Sequence, residues 1–344
     1  MAFVVFYILH PSLIFSNTVI NGGDTGAHVA MASFMHQNMW PWHLYTYYFV
    51  LPDFIAALLA WVIPFNVAFK LATILGSLLM PAAAYIMGRL FRAPRPIPLT
   101  MAAAMFVFLF DGTYTIFGGN LFSTMAGEYP YSLSLAAALV TIGLFARGIR
   151  EHRGRWFAAI ALSVTLAAHV LPWFYALGGI AILLIMELLR RAPTTNWVRG
   201  AKRRSVAFVI SAGFLSFILS AWWVLPFTFT QSLTNSMGYV NFATDTWHAV
   251  FSQLGWFTES GGAAGDRVVI VLAALSFLWA FYTRSRVGIF FGVMSVVALA
   301  VYRGIPQGVI WNGRVVPYWF VSIYLASAWF IGDLFVHAYE RRHE

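Results

Sequence analysis

Asp24 and His28 stand four residues apart in NGGDTGAH, residues 21–28. That spacing is close to one helical turn, so a helix opening after Asp24 carries a carboxylate and an imidazole on one face. Such a pair can take a proton from a hydroxyl, with the imidazole orienting the carboxylate. Together with a second carboxylate, such as Glu128, it could instead share a divalent cation. A plainer role also fits Asp24, which follows Asn-Gly-Gly and precedes a helix-forming run. That is an N-cap position, and an N-cap needs no histidine.

Further residues could complete such chemistry. Glu128 lies in GGNLFSTMAGEYPYS, where Gly118, Gly119 and Gly127 permit tight turns that would bring its carboxylate back over the rim of a bundle. Asp111, in FLFDGTYTIF, falls near the end of an apolar helix. An ion there is costly and usually faces a polar cavity. His169, in LAAHVLPWF, precedes Pro172 where the chain must break, although a lone histidine on an apolar helix is ordinarily a core residue. Arg314 follows an Asn-Gly turn in IWNGRVVPYWF. With Lys70 and Arg303 it is a candidate to neutralise a lipid phosphate, and its plain alternative is snorkelling to headgroups.

The elements that must position these residues are membrane helices. The 344-residue chain is 60% hydrophobic and 10% charged, with a mean hydropathy of +0.75. Soluble domains carry about 25% charged residues. The composition predicts an all-α, polytopic transmembrane bundle forming one integral-membrane domain over 1–344, with a lipid bilayer as its first partner. Apolar runs predict about ten spans, near 1–16, 66–90, 98–117, 131–148, 156–171, 173–190, 205–225, 267–283, 287–302 and 315–337. The segment 49–64, FVLPDFIAALLAWVIP, is short, bounded by proline and carries Asp53, so it reads as an interfacial or re-entrant helix. It belongs to a first outer loop over 17–65, and a second outer loop covers 226–266.

With that choice the charges alternate. Of the 21 basic residues, 17 fall in turns on one face, which the positive-inside rule makes cytoplasmic, together with both termini. The opposite face holds Asp24, Asp53, Asp111, Glu128, Asp245, Glu259 and Asp266, against only Lys70, Arg267, Arg303 and Arg314. The net charge of +9 is thereby a topology signal and implies no nucleic acid partner. The first apolar run lacks a basic leader and a cleavage site, so it reads as a retained helix. No cysteine is present, which removes disulfides, thiolate metal sites and a cysteine nucleophile. Walker, GxSxG and HExxH patterns are also absent.

GGDTGAH after the first apolar run, the stretch from YYFVLPDF to IMGRLF, GGNLFSTMAGEYPYSLSL, AHVLPWFYAL and IWNGRVVPYWF together resemble a bacterial membrane family labelled 6-pyruvoyl-tetrahydropterin synthase-related. That family is in turn similar to the GT-C glycosyltransferases, multi-helix enzymes that use polyprenyl-phosphate sugars. The resemblance implies a catalytic acid in the first outer loop, where Asp24 stands, and a second helix ending in a basic turn, as in GRLFRAPR. WPWHLYTYYFV is shorter than the polar loop such proteins often carry, and no large outer domain follows the last helix, so acceptor recognition is expected to be reduced, lent by a partner, or lost.

The leading expectation is sugar transfer from a polyprenyl-phosphate donor to a cell-envelope glycan or lipid acceptor, on the outer face of a bacterial plasma membrane. Asp24 and His28 would be catalytic, and Glu128, Asp111, His169, Lys70, Arg303 and Arg314 would bind substrate. No cofactor is required, because a lipid phosphate is already a good leaving group. A divalent metal on Asp24, His28 and Glu128 is the one addition the residues allow. Two alternatives stand beside it. A lipid-linked-sugar transporter would show inverted repeats and midplane polar residues, and a GT-C-like scaffold would hold an envelope complex together without turnover.

Overall fold

The computed structural model describes residues 10–19, 22–37, 50–190, 196–230, 242–257, 263–305 and 310–341, and every regular element among them is helical. In chain order these are α1 Pro11–Phe15, α2 Thr25–Gln37, α3 Val50–Leu59, α4 Phe65–Leu90, α5 Pro96–Leu109, α6 Tyr129–Glu151 and α7 Arg155–Ala168. There follow α8 Val170–Leu188, α9 Asn196–Phe229, α10 Trp247–Gln253, α11 Ala263–Tyr282, α12 Arg286–Gly304 and α13 Val316–Glu340. A short turn at Leu121–Ser123 and a π-helical turn at Thr124–Glu128 lead into α6.

Among the described residues seven helical segments are long and apolar enough to cross a membrane. They are Phe65–Leu90, Leu121–Glu151, Val170–Leu188, Gly200–Phe229, Gly265–Tyr282, Arg286–Gly304 and Asn312–Glu340. Three more apolar helices, α3, α5 and α7, are shorter. The expected spans 98–117 and 156–171 correspond to α5 and α7, and most of the expected first span lies outside the described residues. Helix α5 stops at Leu109 because the next eleven residues fold as a loop around Asn120. Its side-chain nitrogen donates to the carbonyls of Asp111 and Tyr114 (2.7 Å each), and its side-chain oxygen accepts from the Ser123 amide (2.8 Å). Helix α3 has ten residues, or about 15 Å at 1.5 Å per residue. Its described part begins at the first described residue of that stretch, so the expectation that 49–64 lies at the interface rests on its sequence.

Helices α4, α6 and α13 are buried over most of their length and form the centre. α4 lies along α6, α13 lies along α5, α11 and α12, and α7 and α8 flank α6. Small residues allow the closest crossing: a Cβ on Gly76 of α4 would collide with the backbone of Leu133 in α6. Dispersion across such close contacts is a main source of helix association in lipid. The outer helices α9 and α11 are mostly uncovered and expose Ile210, Phe214, Ile218, Val268, Val271 and Leu278, the apolar surface a bilayer covers.

The basic turns meet at one end of the bundle. Glu151 accepts from Arg92 (2.8 Å), Arg147 (2.9 Å) and Arg150 (3.5 Å), and Glu187 pairs with Arg286 (3.1 Å) and Arg190 (3.6 Å). Of the acids separated from them by charge counting, Asp24, Asp53, Asp111, Glu128 and Asp266 lie at the other end, and Glu259 lies outside the described residues. These are called the basic end and the acidic end below.

Candidate functional site

At the acidic end, two sequence stretches a hundred residues apart lock together backbone to backbone. The Asp24 amide donates to the carbonyl of Ala126 (3.2 Å). Gly23 (φ 47°) and Gly127 (φ 104°) face each other across this contact, both with positive φ. A Cβ on Gly23 would collide with the Ala126 carbonyl, and one on Gly127 would come within 2.8 Å of the Thr25 amide nitrogen. Only glycine combines that conformation with that approach. The π-helical turn beneath is held by Thr124, whose hydroxyl donates to the Asn120 carbonyl (2.8 Å) and meets the hydroxyls of Ser132 (2.6 Å) and Ser77 (3.3 Å).

The staple leaves Asp24 exposed at the start of α2, while His28, one turn on, is buried. The carbonyl of Asp24 accepts from the amides of Ala27 (3.1 Å) and His28 (3.3 Å), but its carboxylate makes no hydrogen bond or ion pair among the described residues. Side-chain capping therefore does not account for it. The expected Asp24–His28 hydrogen bond does not form either. His28 gives Nδ1 to Asp53 of α3 (3.1 and 3.2 Å to the two oxygens), and the Tyr129 hydroxyl donates to the same carboxylate. Asp53 is fully buried, so two donors in place of water are what make its charge tolerable there. A carboxylate acceptor at Nδ1 makes that nitrogen the donor and fixes the orientation of the ring.

Glu128 ends the π-helical turn, buried rather than solvated, and pairs with Arg314 at the start of the last span. Arg314 uses Nη1 for both Glu128 and the Ile116 carbonyl (3.2 Å), so Nη2 and Nε carry no contact among the described residues. Its guanidinium lies 5.6 Å from the Trp311 ring. Asp24 and His28 are the next ionisable neighbours of Glu128, so the four side chains form one electrostatic group.

The other expected residues are placed differently. The Nδ1 of His169 accepts from the Leu171 amide (3.2 Å), which makes it the cap of α8. A nitrogen that accepts carries no proton, so this imidazole is neutral and is no cation for a phosphate. Lys70 is buried and donates to the Ser16 carbonyl (2.7 Å), the Leu13 carbonyl (2.5 Å) and the hydroxyls of Ser16 (3.1 Å) and Thr18 (3.3 Å). It thereby ties α1 to α4. Arg303 donates to the Thr244 carbonyl (3.1 Å) and lies 4.5 Å over the Trp247 ring, anchoring the segment around α10. Arg314 is therefore the cation among the three that joins the Asp24 group. Asp111 belongs to a second carboxylate pair, with Asp266. Glu259, Trp40 and Trp42 lie outside the described residues.

Among the described residues, no three histidine, aspartate or glutamate side chains converge to hold a metal ion. Asp24, His28 and Glu128 therefore share electrostatics without forming a ligand set. Asp53 was read from the sequence only as an awkward charge in a short apolar helix, and its role as the partner of His28 was missed. The signal was there: a carboxylate deep in an apolar helix has to find donors. No family model, curated protein or solved structure matches the chain.

Proposed function

We propose that the chain is a GT-C-like membrane glycosyltransferase, moving a sugar from a polyprenyl-phosphate donor to a cell-envelope glycan or lipid acceptor at its acidic end, on the outer face of a bacterial plasma membrane. The observation that carries the reading is an exposed Asp24 carboxylate, without a partner among the described residues and fixed by its backbone beside a buried Glu128–Arg314 pair. A general base has to reach its substrate and be held in place, and Asp24 meets both conditions.

In this reading Asp24 takes the proton of the acceptor hydroxyl while that oxygen bonds to the anomeric carbon. The bond from the anomeric carbon to the phosphate oxygen breaks, and its electron pair stays on the lipid phosphate. Arg314, oriented by Glu128 and the Ile116 carbonyl, turns Nη2 and Nε to that charge. His28, held by Asp53 and Tyr129, shapes the electrostatics around Glu128 and Asp24. The donor class comes from the resemblance noted in the sequence.

The test is purified protein in lipid nanodiscs with a panel of polyprenyl-phosphate sugars and envelope acceptors. Asp24→Asn is expected to abolish transfer while leaving the melting temperature unchanged, because the carboxylate holds nothing in place. Full transfer by that variant removes Asp24 from the mechanism. Movement of a labelled lipid-linked sugar across the membrane without a glycosidic product supports the transporter. A stoichiometric envelope complex whose function survives Asp24→Asn supports the scaffold.

A further inference from the structure

The loop after α5 and the start of α11 bring two buried carboxylates together, 7% and 2% exposed for Asp111 and Asp266, in direct side-chain contact. Oxygen groups surround them. The Thr113 amide donates to one Asp111 oxygen (3.0 Å) and the Tyr324 hydroxyl to the other (3.2 Å), while the Thr113 hydroxyl donates to Asp266. Among the described residues no lysine or arginine pairs with either acid; Arg267, next in sequence, donates instead to the Trp256 carbonyl (2.7 Å). Among the described residues the Tyr114 hydroxyl, on a 4% exposed side chain, has no hydrogen-bond partner, and the carboxylates that act on it electrostatically are Asp111 and Asp266. Beside them Asp111, Gly112, Asp266, Tyr324, Phe106 and Phe110 line an open-sided cavity of about 300 Å³.

From this geometry we infer that Asp111 and Asp266 hold a hard divalent cation of the calcium or magnesium class, with the Thr113, Tyr324 and Tyr114 hydroxyls and water completing an oxygen shell. Two adjacent carboxylates in a buried setting cannot both stay ionised unless a positive charge lies between them. A divalent cation balances both, and such ions take six or more oxygens that include hydroxyls, carbonyls and water. The neighbouring cavity gives water and the ion a way in. The unpaired Tyr114 hydroxyl points to a ligand, because a buried polar group is normally satisfied. Among the described residues no contact joins this pair to Asp24, so the cation acts as a clasp between the loop and α11, apart from the proposed transfer.

The experiment uses the full chain in nanodiscs, stripped with a chelator and then titrated with calcium and, separately, magnesium. Melting is followed by tryptophan fluorescence and stoichiometry by equilibrium dialysis. One ion per chain and a saturable upward shift of several degrees are expected, because a ligand of the folded state stabilises in proportion to its occupancy. Asp111→Asn and Asp266→Asn are each expected to lose both the ion and the shift while melting near the chelated wild type. A shift that survives in both variants places the ion elsewhere and overturns the inference. Absence of binding up to millimolar concentrations also overturns it. In that case an infrared band of a protonated carboxyl at neutral pH, lost in Asp266→Asn, would identify a shared proton in its place. Asp24→Asn is expected to keep the metal-dependent shift, which separates failure of this site from failure of the transferase reading.

Discussion

Glu151 at the basic end and Glu128 at the acidic end are both glutamates paired with arginine, yet they report different things. Glu151 has three arginine partners, of which Arg92 and Arg147 are 66% and 56% exposed. Glu128 has one, and both members of its pair are close to 10% exposed. Water and salt screen the first set, so its energy is small and its information is orientation. The second pair has given up its water, and its energy depends on each partner being present. More ion pairs at one end therefore do not make that end the more tightly held.

Removing one partner of the buried pair tests this most strongly. Arg314→Ala should destabilise the protein by about 3–5 kcal/mol, because it leaves Glu128 buried without a counter-charge. Denaturant unfolding in detergent measures it, and Glu128→Gln added to Arg314→Ala should recover much of the loss. If the double variant is no more stable than Arg314→Ala, the pair was never desolvated and the contrast between the ends fails.

Next in size is Asp53→Asn, which removes the ionised acceptor of two buried hydrogen bonds and should cost about 2–3 kcal/mol. Near-wild-type melting of that variant would show that His28 and Tyr129 find other partners. Gly127→Ala should cost about 1–2 kcal/mol through a positive φ and a crowded Cβ. Amide exchange at residues 24–28 should rise with it, whereas exchange confined to baseline would mean the two stretches are not stapled. The smallest effect belongs to the basic end. Glu151→Gln should leave the melting temperature unchanged, and a measurable drop would mean that its arginines do more than mark a side of the membrane.

The sequence carried the long helices and the separation of charge, because apolar length and arginine-rich turns are local signals. It overextended α5 by eight residues, since Asp111 through Phe117 are apolar enough to continue a helix and only Asn120, further along the chain, draws them into a loop. The candidate site was legible as residue types and illegible as pairings. His28 chose Asp53 over Asp24 because α2 packs on α3, and no spacing rule encodes that packing. Asp111 was recognisable as an expensive ion, but its companion Asp266 lies 155 residues away. Lys70 and His169 have the residue types of a phosphate site and turn out to satisfy backbone groups at helix ends. Buried polar side chains serve the backbone first, and a list of residue types overcounts function for that reason.

The contact between Gly23 and Gly127 also bears on how the molecule is made. Residues 22–28 leave the ribosome about a hundred residues before the turn that fixes them, and Arg314 follows almost two hundred residues after that. The group around Asp24 is therefore drawn from three separated stretches of chain, of which the one carrying Arg314 is made last. A nascent chain that has not reached Arg314 holds Asp24 and a Glu128 that still lacks its arginine. Whatever handles such an intermediate meets an acidic rim that stays unneutralised until Arg314 arrives.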